Sequence, residues 1–203
     1  MKKTLKALII LLVIGVLAGC GEKKSEVADS DDWHDAQLII HGTRFKDVGN
    51  MTVADIEKLG FEIDRTLLAV SMPSDLEPGK TAIVSTRSVD GSKELYDFRV
   101  VNKTGKSAPA EKCNIEGIYV IEPENKNDML VGATDIFLAN GVGLGMTPDE
   151  VRNIMGNPDE EKINDDQEKA YKTWIYNLNS NGSKIAMMFS KDKDTMNSLI
   201  IKY

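Results

Sequence analysis

Apolar residues recur along this chain with two different spacings, and the points where the spacing changes mark out its elements. Between 147 and 156, Val151, Ile154 and Met155 fall at i, i+3 and i+4, an apolar stripe about two helical turns long. Thr147 precedes it, Pro148 follows at the first helical position and Glu150 lies three residues on. That is a capping box, in which hydroxyl and carboxylate satisfy N–H groups the helix start leaves open. Gly156 ends the run, and Asn157-Pro158 keeps it from restarting. A similar sequence stands at 51–60, with Thr52 and Asp55, a stripe of Val53, Ile56 and Leu59, and Gly60 as the stop. Elsewhere the runs are short and strand-like, at 67–72, 81–86, 95–102 and 115–121. Pro73-Ser74, Glu77-Pro78-Gly79, Asp90-Gly91 and Lys103-Thr104-Gly105 supply the turns between them.

Three more strands close the chain, at 171–178, 184–190 and 198–203, the first two joined by Asn179-Ser180-Asn181-Gly182, a strong hairpin signal. Their alternation separates two faces. Trp174, Tyr176 and Leu178 share one face with Ile185, Met187 and Phe189 and with Leu199, Ile201 and Tyr203, and this face is expected to cover the helix. The other face carries Ile175, Ala186, Met188 and Ile200, more apolar than a solvated face needs. Either the other half of the chain covers it, or it is a partner surface.

Aligning Thr52 with Thr147 gives a period of about 95 residues, and the apolar lead-ins at 38–40 and 136–138 precede the two helices. The polar stretch 122–128 reads as the boundary. The fold class expected is therefore α+β, with two repeats of a short helix on an antiparallel sheet, at 36–123 and 130–203.

The first twenty residues read as an export signal. Lys2, Lys3 and Lys6 precede an apolar run from Ala7 to Gly19, too short for the ~20 residues of a bilayer-spanning helix. The run ends in Leu17-Ala18-Gly19-Cys20, which resembles the lipobox of bacterial lipoproteins at every position. The resemblance implies a signal peptide at 1–19, cleavage before Cys20 and a diacylglyceryl thioether on it. Two or three acyl chains, at about 0.8 kcal/mol per buried CH2, hold a protein on a membrane where one would not. From 20 to 35 the composition turns to Glu, Lys, Ser and Asp, so a flexible tether is expected.

Gly143 to Pro158, then Trp174-Ile175-Tyr176, a hairpin and a last strand, is similar to the small lipoproteins of the outer-membrane β-barrel assembly machinery (BamE-like). The tandem arrangement also resembles the β-lactamase inhibitory protein, built from two helix-plus-sheet repeats. The likeness covers 140–203 well and 40–121 loosely, since Gly-x-Pro becomes Gly60-Phe61-Glu62 in the first half and an additional strand is suggested near Ile115. It implies a fold and carries over no partner.

Composition narrows the classes of function. The net charge is −7, and without Lys2, Lys3 and Lys6 it falls to about −10. Nucleic acid and polybasic attachment to anionic lipid are both disfavoured. Catalytic signals are thin. Cys113 has only His34 and His41 as conceivable bases and reads as a buried lone thiol. Ser190-x-x-Lys193 and Lys103-Thr104-Gly105 stand in the reverse of the order used by penicillin-interacting serine enzymes. Gly141, Gly143 and Gly145 do not have dinucleotide spacing and read as a tight turn. Asp29, Asp31, Asp32 and Asp35 around His34 lack the glycine and distal glutamate of a calcium loop. No catalytic residue, metal ligand or cofactor is therefore assigned, and the chain is read as non-enzymatic. The expected function is a lipid-anchored, extracytoplasmic binding or scaffolding module. It would sit on a Gram-positive cell surface or a Gram-negative outer membrane, with an envelope or extracellular protein as partner. The alternative is an inhibitor or ligand sensor of a cell-wall enzyme, and after it an envelope hydrolase.

Overall fold

The computed structural model describes residues 28–63, 75–88, 94–121, 131–132, 136–164, 171–178 and 182–203. The signal segment, Cys20, the strand expected at 67–72 and the boundary at 122–128 lie outside these residues.

Both helices form where the caps stand. In α1 (Val53–Lys58), Asp55 Oδ2 accepts from the Thr52 N–H at 3.0 Å and from its hydroxyl at 2.8 Å, and the Asp55 N–H takes the Thr52 carbonyl at 3.0 Å. In α2 (Pro148–Met155) the exchange is reciprocal, and the Thr147 hydroxyl also donates to Glu150 Oε2 at 2.9 Å. Glu150 Oε2 accepts from the Thr147 N–H at 2.8 Å, and the Glu150 N–H donates to Thr147 Oγ1 at 3.3 Å. Gly156, at φ 81°, occupies a backbone region that disfavours side chains and stops the helix.

The strands build one wide sheet and one small one. β1 (Leu38–Ile40) pairs antiparallel with β2 (Thr43–Phe45) on one side and with β8 (Ile136–Leu138) on the other. In the wide sheet, β3 (Phe61–Ile63), β4 (Thr81–Ser88), β5 (Glu94–Val101) and β6 (Asn114–Ile121) lie side by side in chain order. β9 (Glu160–Asn164), β10 (Tyr171–Asn177), β11 (Lys184–Ser190) and β12 (Met196–Lys202) form a second ordered group. β6 and β12 pair antiparallel and join the two groups, while β7 (Val131–Gly132) adds a parallel contact to β5. A single row of side chains runs across six strands: Val84, Phe98, Ile118, Ile201, Ile185 and Tyr176, all buried. The molecule is α+β, with the helices and the small sheet covering one face of the wide sheet around one continuous hydrophobic cluster. Hydrophobic burial contributes most here. Trp174, Met187, Leu199, Leu38, Ile40 and Ile136 are all fully enclosed in it.

Several expectations are revised. The second group has four strands, because β9 precedes the three expected. All five of its residues are exposed, so it has no alternation to read. The strand near Ile115 is not a surplus element but the joint itself. The described strands of the first half therefore extend the sheet sideways through β6 instead of lying over the face of Ile175, Ala186, Met188 and Ile200. The tether expected to reach residue 35 is folded from residue 28 onward. Trp33–Asp35 forms a 3-10 turn capped by Asp32, and the Trp33 ring meets the edge of Tyr176 at 5.4 Å. Arg44 holds Ser30 O at 2.8 Å and Asp31 Oδ1 at 2.9 Å, Lys46 pairs with Asp29, and buried Gln37 donates to Ala28 O at 2.8 Å.

Candidate functional site

The outer face of the wide sheet is set by the same register that builds the core, displaced by one residue on each strand. Ile175, Ala186 and Ile200 lie directly opposite one another on β10, β11 and β12, and Tyr119 on β6 continues their row. Met188 stands two residues further along β11, opposite Ser198 on one side and Thr173 on the other. The four residues expected as a surface are thus brought onto one face. Ile175 is buried among its neighbours, and Ala186, Met188 and Ile200 are partly exposed.

A polar row runs beside the apolar one. Arg99, Gly117, Lys202, Lys184 and Asn177 face one another in order across β5, β6, β12, β11 and β10, and Ile83 on β4 extends the row. One residue of β6 is extra at this point, since Arg99 faces Gly117 while Val100 faces Ile115. This bulge brings Glu116 to Arg99, whose guanidinium lies 2.8 Å from the carboxylate. The Tyr119 hydroxyl, then Glu116, hold the arginine above its ordinary pKa. Gly117 is required by close packing: a Cβ there would stand 2.7 Å from the Ile201 carbonyl oxygen of β12. Lys184 and Lys202 are cross-strand partners, both exposed.

Sequence reasoning named the apolar residues and missed Lys184, Lys202, Arg99, Tyr119 and Ile83. The two lysines were within reach, because each stands two residues from a named apolar position, Ala186 or Ile200. Arg99 and Ile83 required knowing that β6 pairs with β12.

The remaining candidates take structural roles. Cys113 is buried, its thiol donating to Pro109 O at 3.4 Å, and burial pushes its pKa up, the opposite of a nucleophile's requirement. Asp29 and Asp31 are drawn to Lys46 and Arg44, while Asp32 Oδ1 lies 2.6 Å from His34 Nδ1, so the acidic cluster is dispersed among separate partners. Among the described residues no group of three or more His, Cys, Asp or Glu side chains has the arrangement to hold a metal. Gly141 and Gly145 have φ of 90° and 85°, and a Cβ on Gly143 would strike Phe137 at 2.6 Å, so these glycines serve a tight strand-to-helix turn. Asn102 Oδ1 takes the Thr104 N–H at 2.8 Å, fixing Lys103-Thr104-Gly105 as a turn. Cys20 lies outside the described residues. No described helix is long and apolar enough to cross a membrane. Compared with protein-family models, curated proteins and solved structures, the chain matches none.

Proposed function

We propose that this chain is a lipoprotein anchored through Cys20 on the extracytoplasmic side of a membrane, and that it acts without catalysis by holding a protein partner on the outer face of its sheet. The observation that carries the binding reading is the cross-strand row of Ile175, Ala186 and Ile200, with Met188 beside it, on the face opposite the core. Six strand spacings from β4 to β9, at ~4.8 Å each, and a strand length of roughly 24 Å give a face of roughly 700 Å². That approaches the ~800 Å² per partner typical of a specific interface.

We further read the chain as two copies of one unit: lead-in strand, capped helix and four strands in order. The antiparallel pairing of the two lead-ins, β1 with β8, and of the two closing strands, β6 with β12, supports this. Drift of the spacing away from 95 residues follows from the longer loops of the first copy.

Anchoring is tested by growing cells with a labelled fatty acid. The native chain is expected to carry label and Cys20→Ala to lose it, and label on the variant would end the lipoprotein reading. Partner binding is tested by photo-crosslinking from outer-face positions in intact cells, where adducts confined to the helical layer would place the interface elsewhere.

A further inference from the structure

Lys184 and Lys202 form a like-charged cross-strand pair beside the apolar row. They sit directly opposite each other on adjacent antiparallel strands, where like charges repel, and neither has an acidic partner among the described residues. Several other described cations find carboxylates, Arg99 with Glu116, Arg44 with Asp31, Lys46 with Asp29, Arg152 with Asp149, Lys58 with Asp55 and Lys162 with Glu160, while Lys80, Lys106, Lys112, Lys172 and Lys191 do not among the described residues. The chain has 32 acidic residues against 25 basic ones, so partners for two lysines were plentiful. The unrelieved pair also borders the apolar row, since each lysine stands two residues along its strand from Ala186 or Ile200 on the same face.

We infer that the lysine pair is an anion-reading element of the outer face, and that the partner docked there is a protein segment with carboxylates beside apolar side chains. The inference rests on the outer-face binding proposed above and specifies its chemistry. Apolar side chains of the partner would lie on Ile200, Ala186 and Met188. An Asp or Glu alongside them would meet two ammonium groups carried on neighbouring strands. A carboxylate so placed removes the mutual repulsion of the lysines, so binding relieves a cost present in the free protein. Asn177 in the same row adds a donor beside Lys184, while Arg99 at the other end is held by Glu116. A protein segment is favoured over an anionic membrane surface because a headgroup layer offers nothing to the apolar row.

The test uses the full chain in its own cells, with a photo-crosslinking phenylalanine at position 188, combined with Lys184→Glu and Lys184→Arg. Lys184→Glu places opposite charges across the strands, so its urea midpoint is expected to equal or exceed the parent's. Its crosslinking yield is expected to fall at least ten-fold. Lys184→Arg is expected to keep the yield, and the partner peptide crosslinked at 188 is expected to contain Asp or Glu. A protein adduct whose yield is unchanged by Lys184→Glu overturns the charge reading alone and leaves the outer face as the interface. Adducts only with lipid, or only with a second copy of this chain, overturn the proposed occupant. An absence of adducts from position 188, with adducts from exposed positions on the helical layer, overturns both this inference and the function it rests on.

Discussion

At the scale of single residues, the two helix caps do the same work with different acids, and this makes them separable. Thr147 accepts the Glu150 N–H and donates to its carboxylate, so Thr147→Ala removes both links and is expected to lower stability by about 1 kcal/mol in urea unfolding. Both cap carboxylates are held below their ordinary pKa, and at Asp55 the shift is the large one. The Lys58 ammonium, then the Thr52 N–H, hold its carboxylate down to about 2. A folded-state pKa below the unfolded value contributes stability that is complete above about pH 4, and it is lost as pH falls towards about 2. Because the carboxylate is well exposed to solvent, the effect is modest. Comparing urea midpoints between pH 2 and 5, Asp55→Asn is expected to show a shallower acid loss than the parent, converging with it at the lowest pH. Equal slopes would remove Asp55 from the account.

At the scale of elements, what could be read in advance depended on whether an element's own residues carry its environment. The helix stops and starts at 52–60 and 147–156 were legible because capping is local chemistry, and the faces of β10, β11 and β12 were legible because each strand is buried on one side. Trp174, Tyr176, Met187 and Leu199 are enclosed as the alternation requires. β9 was not legible, since a charged, exposed edge strand leaves no periodic trace; its charges are a means by which sheet edges avoid further pairing. The 3-10 turn at Trp33–Asp35 was missed for a related reason. Its surroundings are polar, and the groups that fix it, Arg44 and Gln37, come from the hairpin beyond. The β6–β12 joint was beyond local reading because it pairs residues far apart in the chain. Gly117 tests it directly: Gly117→Ala introduces a methyl group where the β12 backbone leaves no room, and a loss of about 1–3 kcal/mol is expected by denaturant unfolding. Gly105 is open on all sides and serves as the control, with Gly105→Ala expected to change little.

At the scale of the whole molecule, one sheet and one hydrophobic cluster join stretches that the sequence divides into two. Ile118 of β6 faces Ile201 of β12 within the buried row, so neither group of strands keeps its core when the other unfolds. Unfolding is therefore expected as a single cooperative transition, with tryptophan fluorescence and far-ultraviolet circular dichroism tracing the same curve. Two separated transitions would mean that the halves are independent. The fastening of residues 28–37 onto the β1–β2 hairpin has a consequence of reach. With the lipid proposed on Cys20, only the eight residues up to Ala28 lie between bilayer and folded body, a span of at most about 29 Å. Under that proposal, a mooring so short would confine the outer face to a shell close to the membrane. The protein's acquaintances would then be restricted to what rises from the same membrane or passes near its surface, and opening the Arg44 and Lys46 contacts would lengthen the line and widen that company.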